Sequence, residues 1–426
     1  MVELSDVDRA MLAGSEGGAA RRAMRIIVRI AEIQGAPKLI DISKVHVGGS
    51  IYTGRGSLQV IEQWLADGAK VRVPTTVNAI SIDRSQPQVS GVDEEYARNA
   101  DRLAAALEAM GCQPIFSCTP YVFPDAPVFG QDILWAESNA IVYANSVIGA
   151  RTNRHGDFMD VCAAITGRVP YSGLHRSENR VGNFLVKVPD VLDPDPSFYS
   201  VLGYLIGKEA GSHIPVIVGM RQAPSLEALK AFCSTVATAG AVGLFHMVGF
   251  TPEAPTLQAA LGGREPDRTL IVTPEDLLHV WQDMSSGRGQ ELDSVVIGSP
   301  HATLGDFVEL AEQVRGRKKA AGVDFLVTTS RVVHGQAEKQ GLLDVLTDFG
   351  ARVSTDTCLC MLNEQQLPSG TVGVMTNSGK FAHYGPGLIN RGVFFGSTQD
   401  CVESAVLGRP VTAEPAWARR PRSVAR

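Results

Sequence analysis

The sequence predicts an α/β protein of several domains, with parallel sheets arranged around a central cleft. Three observations predict it. Beyond residue 215, short apolar runs alternate with helical periods, the rhythm of strand–helix units that build parallel sheets. Glycine occurs 43 times, as expected where many strands turn tightly into helices. Thiols and polar loops fall where apolar runs end, at the edge where a parallel sheet opens its ligand cleft. The 426 residues, 44% hydrophobic and 20% charged, suit an ordinary globular chain with room for roughly two to four domains. The expected division is 1–190, 191–288 and 289–408, followed by a flexible tail, 409–426.

Composition excludes several classes. The net charge of -6 argues against nucleic acid as a partner. The basic cluster from Ala418 to Arg426 is short and terminal, which reads as a frayed tail. Seven cysteines, at 112, 118, 162, 233, 358, 360 and 401, do not have the spacing of a disulfide framework. The opening, Met1-Val-Glu-Leu-Ser-Asp6, is acidic and unlike a secretory leader. No apolar run reaches the roughly 18 residues that span a bilayer. A cytoplasmic protein with reduced thiols is expected.

The elements follow in order. Ser5 and Asp8 form a capping pair for a first helix that Gly14 ends. A second helix runs from Ala19 to Gln34, with Met24, Ile27, Ile30 and Ala31 at helical spacing. Lys38–Ser43 reads as a strand. The Lys44–Gly54 stretch after it holds Gly48-Gly49-Ser50, whose backbone N–H groups could face a ligand. Ser57–Gly68 is a helix, and Lys70–Asn78 is a strand ending in polar groups. Glu94–Met110 is a helix, and Cys118 follows a short strand. The apolar Asp132–Asn145 segment is interrupted by Glu137-Ser138-Asn139, an insertion that is costly unless it serves a site. Arg151 and Arg154 offer forks for a carboxylate or phosphate, or a brace for an internal acid.

The Pro/Asp-rich stretch Pro189–Pro196 marks a boundary. Strands at 215–219, 242–248, 295–298 and 325–329 then alternate with helices at 225–239, 274–284, 304–315 and 337–349. A last strand, Ala351-Arg352-Val353, delivers Thr355-Asp-Thr-Cys-Leu-Cys360. Neither a dinucleotide fingerprint nor a phosphate-binding loop is present.

The soft-ligand candidates are Cys118, Cys358 and Cys360, each at a strand end where a metal or iron–sulfur cluster could sit. On spacing alone, Cys358 and Cys360 read rather as two small core side chains. Cys112, Cys162, Cys233 and Cys401 are assigned to the core. His246, His301 and His383 are acid/base candidates or structural hydrogen-bonders. Lys380, in a Gly- and Ser-rich loop tightened by Tyr384-Gly-Pro-Gly387, could clamp an anion.

The stretches HVGGSIYTG (46–54), VPTTVNA (73–79), CTPY (118–121), WAESNAIVYANSVIGARTNR (135–154), AAITGRVPYSGLH (163–175), IGSPH (297–301), STDTC (354–358) and TNSGKFAHYGPG (376–387) occur in that order. Together they resemble the aconitase X large subunit. The resemblance implies an aconitase-like fold and a hydro-lyase that acts on cis-3-hydroxy-L-proline or on mevalonate 5-phosphate. It implies an iron–sulfur cluster and a small swivelling domain, fused or separate, that carries a catalytic serine. That domain is expected on a separate small subunit. By motif, Gly49, Ser50, Ile51, Asn78, Ala79, Glu137, Ser138 and Lys380 fall on substrate positions. Of these, Glu137, Ser138 and Lys380 are the catalytic candidates, and Arg151 is added as a substrate contact. Cys118 and Cys358 fall on cluster ligands. The phosphomevalonate branch has cysteine where Ser299 stands and proline where Ala79 stands. These departures resemble the hydroxyproline branch, in which the cluster has a two-iron form and Cys360 replaces the missing ligand. The alternatives are a mevalonate 5-phosphate dehydratase and a non-catalytic iron–sulfur binding or regulatory protein.

Overall fold

The computed structural model of the chain describes residues 2–86, 91–191, 194–361, 367, 371–411 and 413–418. Its first region carries β1 (Leu39–Asp41), β2 (Val45–Val47), β3 (Thr75–Val77), β4 (Leu134–Trp135) and β5 (Arg168–Pro170). β2 lies between β3 and β4, all three parallel, while β1 pairs antiparallel with β5. The Ser5–Asp8 capping box is present, and Gly14 closes the helix Asp6–Ala13. Helix Gly18–Ile33 buries Ala20, Ala23, Met24, Ile27 and Ala31, one stripe at helical spacing.

β6 (Phe184–Lys187), β7 (Pro215–Val218), β8 (His246–Met247) and β9 (Arg268–Ile271) form a second parallel sheet in the order β8-β7-β6-β9. β6 is an inner strand of this sheet although it precedes the division expected at residue 190. The Pro/Asp stretch that suggested it leads out of β6, with residues 192 and 193 outside the described residues. Helix Pro196–Ala210, which has no counterpart in the sequence reading, packs along helix Leu226–Ala239.

The third sheet holds β10 (Ser294–Ile297), β11 (Asp324–Thr329), β12 (Arg352–Thr355), β13 (Gly373–Thr376) and β14 (Gly392–Phe395), in the parallel order β12-β11-β10-β13-β14. β10 is buried along its whole length, which explains the apolar run Val295-Val-Ile297 within it. From β10 the chain steps through β11 to the β12 edge, then returns to β13 on the other side. The order therefore reverses between β10 and β13, where an open parallel sheet presents its ligand crevice. The second and third regions share one core, in which Phe184, Phe198 and Phe232 join Val296, Val374 and Phe381.

Three further expectations change. Residues 331–349 form two helices, Arg331–Lys339 and Leu342–Phe349, split at Gly341. The stretch around Lys380 is not a loop. Ser378 caps a helix, Gly379–Ile389, that contains the glycines and Pro386. Its buried Phe381, Ala382, Gly385 and Ile389 recur at helical spacing, so packing overrides the breakers. Gly379 is required by proximity, since a Cβ there would lie 2.4 Å from Thr235 Cγ2. Finally, part of the expected flexible tail is docked. Trp417 is buried, donates to Ser197 Oγ at 3.0 Å, and packs on Phe198 and Trp281. A Trp buries too much apolar surface to be left free. The basic stretch 419–426 lies outside the described residues.

Candidate metal and substrate site

The chain's two sheet edges supply the site. Residues just beyond β2, β3 and β4 meet residues just beyond β10, β12 and β13. Cys118, in an irregular segment after Phe116 (φ 40°) rather than after a strand, brings its Sγ to 3.8 Å from Cys358 Sγ. Two ligands on one tetrahedral ion with bonds of about 2.3 Å would have sulfurs roughly 3.8 Å apart. Cys118 Sγ also accepts the His301 backbone N–H at 3.1 Å. Ligand atoms of Cys118, His301 and Cys358 all lie within 4.8 Å of one another.

The three residues are buried. Burial holds the His301 imidazole down at about 4, so it is neutral. Its Nε2 pairs with the Thr357 carbonyl at 2.7 Å, and its Nδ1 is buried with no partner. The Cys118 contact, with burial, pushes the Cys358 thiol up to about 12. Ligation would therefore displace a proton from it. The spacing of the sulfurs and the orphaned imidazole nitrogen fit a soft metal group. Cys360 stands beside this trio, half-buried, with its Sγ 2.9 Å from Ser299 Oγ. Ser299 Oγ is also 3.6 Å from Cys358 Sγ. Gly298 makes this turn possible, with φ at 113° and Thr328 O only 2.2 Å from where a Cβ would be.

Next to the thiols sits a buried ion pair. Lys380 Nζ, from the first turn of its helix, donates to Glu137 Oε1 at 2.7 Å and to Ser138 Oγ at 3.5 Å. Glu137 is the cap of helix Ser138–Tyr143, beyond the end of β4. Burial opposes its charge, but Lys380 and the Asn139 donors prevail and hold its carboxyl at about 2. Burial likewise opposes the Lys380 charge, and Glu137 with the nearby thiols raises it above its ordinary value. Asn139 Nδ2 joins the two halves of the site, donating to Glu137 Oε1 at 2.8 Å and to the Cys118 carbonyl at 3.0 Å. Asn78 Nδ2 reaches Glu137 Oε2 at 3.3 Å, and its own Oδ1 is buried without a partner.

The glycine loop is occupied by the protein itself. The N–H groups of Gly48 and Gly49 donate to Asp160 Oδ2 at 2.6 and 3.1 Å, so they do not face a ligand. Asp160 is buried in the otherwise largely apolar helix Met159–Thr166, a signal the sequence did carry. Ser50 Oγ donates to the Ala79 carbonyl at 3.0 Å, and Ala79 packs against Cys118 and Cys358. Ile51, half-buried, follows. Arg151, expected as a substrate contact, is hydrogen-bonded within the protein. It donates to the His175 carbonyl and to Ser177 Oγ, both at 2.9 Å. Arg154 likewise bonds the Gly240 carbonyl at 3.0 Å. Of the other histidines, His246 bonds the Arg180 carbonyl at 2.7 Å and His383 bonds Tyr204 Oη at 2.8 Å. Cys112, Cys162, Cys233 and Cys401 are core residues. His301 as a donor beside the thiols is what spacing could not reveal.

Family models of the first, second and third aconitase X domains match residues 1–178, 182–282 and 292–407. The cis-3-hydroxy-L-proline dehydratase of Pseudomonas aeruginosa is 47% identical over 415 residues, 97% of this chain and 72% of the relative. The phosphomevalonate dehydratase large subunit of Methanothermobacter thermautotrophicus is 34% identical, over 91% of this chain and 94% of the relative. The solved aconitase X of Thermococcus kodakaraensis, in its holo-form, superposes with a TM-score of 0.85 at 30% identity, covering 95% of this chain and 100% of that one.

Proposed function

Because this chain belongs to the aconitase X family, we propose that it is the large subunit of a hydro-lyase that converts cis-3-hydroxy-L-proline to 1-pyrroline-2-carboxylate. The observation that carries the reading is the buried Glu137–Lys380 pair joined through Asn139 to the Cys118–Cys358 thiols. A cyclic amino acid is a zwitterion. An adjacent carboxylate and ammonium can exchange partners with it, Lys380 taking its carboxylate and Glu137 its ring ammonium. A triply charged phosphate ester has no such match in a pair of net charge zero. The 47% identity to a hydroxyproline dehydratase, against 34% to a phosphomevalonate dehydratase subunit, supports the same choice.

Elimination removes the proton on C2 and the hydroxyl on C3. The C2–H pair becomes the C2=C3 bond, the C3–O bond breaks, and water leaves. The enamine then tautomerises to the cyclic imine. An iron–sulfur cluster, when bound, supplies the Lewis acidity that hydroxide departure needs. Lys380 and Asn78 orient the carboxylate that acidifies C2, and Ser138 lies within reach of Lys380. A serine on a small-subunit partner takes the C2 proton. Cys118 and Cys358 would hold the cluster, and in a two-iron form Cys360, beside them at Ser299, would be the third thiolate. A single-ion reading is favoured by the converging His301, and an iron-to-sulfide ratio distinguishes the two.

The similarity spans 72% of the hydroxyproline dehydratase. On the small-subunit reading, this chain, purified anaerobically, is expected to be inactive alone and to turn over cis-3-hydroxy-L-proline when mixed with a small subunit that carries the swivelling domain. Turnover by the chain alone would overturn the partner assignment.

A further inference from the structure

We propose that Asp356 is a positioning residue that locks two domains in register, so that one thiol from each meets at a shared metal site. This rests on the reading that Cys118 and Cys358 share a metal. The two cysteines are 240 positions apart, and their 3.8 Å approach crosses a domain boundary. Neither domain alone can fix that distance.

Asp356 and Asp83 fix it by exchanging contacts. Asp356 follows β12, and its carbonyl accepts the Ile80 N–H at 2.8 Å, next to the Ala79 that lines the thiols. Its Oδ2 accepts the Arg84 N–H at 3.2 Å. From the other side, Asp83 Oδ2 accepts the Thr355 N–H at 2.8 Å and the Ser354 hydroxyl at 3.1 Å. Arg331, at the start of the helix after β11, closes a two-point fork on the Asp356 carboxylate at 2.7 and 2.6 Å. That carboxylate is fully buried.

The backbone of Asp356 is left-handed, with φ at 65°. A non-glycine residue is strained there, because its Cβ crowds the following carbonyl oxygen. Such outliers persist where the surroundings over-determine them, and they cluster at functional sites. Glycine would adopt this turn freely, but glycine has no carboxylate for Arg331 and Arg84. Two residues later the chain reaches Cys358.

Asp356→Gly separates the two contributions, since it keeps the turn and deletes the carboxylate. Metal-free full-length protein is titrated with Cd²⁺, read by cadmium–thiolate charge-transfer absorbance. Asp356→Gly is expected to weaken binding about 10- to 100-fold, the range for partners that orient a ligand. Arg331→Met is expected to weaken it in the same direction. Asp324→Ala, which breaks the comparable Arg352 fork on the same sheet, is expected to leave it unchanged. A second reading needs no metal. In a Cys360→Ser background, diamide accepts two protons and two electrons as Cys118 and Cys358 join in a disulfide, mapped by mass spectrometry. Asp356→Gly is expected to lower that yield several-fold. A natively folded Asp356→Gly protein with parental Cd²⁺ affinity and parental disulfide yield overturns the proposal. If the parent shows no thiolate band but forms the disulfide, the shared-metal reading fails instead, and the yield alone decides the role of Asp356.

Discussion

Cys358→Ala lowers turnover by about 10³-fold or more while the chain keeps its fold. Lewis-acid assistance to a leaving hydroxide is worth several kcal/mol, and each 1.4 kcal/mol is about tenfold in rate. Cys358 is one of the two thiols at 3.8 Å, and Ala in its place leaves Cys118 without the partner that completes the pair. The thiol supports no strand or helix of its own, since its hydrogen bonds run to the Cys118 sulfur, the Gly298 carbonyl and the Ser299 hydroxyl. The circular-dichroism spectrum and unfolding midpoint of the metal-free variant should therefore stay near those of the parent. Iron content should fall with activity. Full activity in the purified Cys358→Ala complex would remove Cys358 from the site.

Lys380→Met is expected to impair both turnover and stability, with a distinctive pH dependence. Removing one member of a buried ion pair leaves the other charge uncompensated, at a cost of about 3–5 kcal/mol. In the parent, Glu137 is held at about 2, below its ordinary 4.5. A depressed acid contributes stability that is fully present above pH 4.5 and is lost as pH falls through about 2. Lys380 is raised above its ordinary 10.5. Its contribution is fully present below that value and lost only at higher pH. The parent pair is therefore intact from about pH 4.5 to 10.5. In the variant, burial without Lys380 raises the Glu137 carboxyl instead. The variant then loses stability relative to the parent as pH rises above 4.5. Denaturant midpoints measured from pH 4 to 8 should diverge, with the larger gap at neutral pH. A gap that is constant across this range would show that Glu137 is not the charge Lys380 compensates. Turnover should fall at every pH, because the substrate carboxylate loses its cation.

The fold was legible where local signals agreed with tertiary packing. The capping box at Ser5, the stripe from Ala23 to Ala31, and the apolar Val295-Val-Ile297 run of β10 each say one thing at every level. It was hidden where packing contradicts local propensity. Gly379, Gly385 and Pro386 read as breakers, yet they sit in a helix whose Phe381, Ala382, Gly385 and Ile389 are buried, and at Gly379 the approach of Thr235 leaves no room for a Cβ. The central placement of β6 was hidden as well, because a proline-rich exit looks like a boundary whichever sheet the strand joins.

The candidate site divides similarly. Motifs carried Cys118, Cys358, Glu137 and Lys380, although what joins them is invisible in sequence, since the thiols lie 240 positions apart and the ion pair 243. Two groups expected to face a ligand have partners within the protein. The Gly48 and Gly49 N–H groups looked free for a ligand, and Asp160 takes them. Arg151 looked like a substrate fork, and a neighbouring loop takes it. An N–H or a guanidinium has the same sequence signature whichever carboxylate or carbonyl it finds. The contribution of Asp356 lies in a backbone angle and a domain contact, neither of which spacing records.

The most direct measurement is turnover by this chain, co-expressed anaerobically with its small subunit, of cis-3-hydroxy-L-proline and mevalonate 5-phosphate side by side. Turnover of the amino acid, with no water lost from the phosphate ester, is the result expected from the Glu137–Lys380 pair and from Ser299 and Ala79 at their positions. Turnover of the phosphate ester instead would contradict it, and would show that neither the zwitterion match nor those two residues select the substrate.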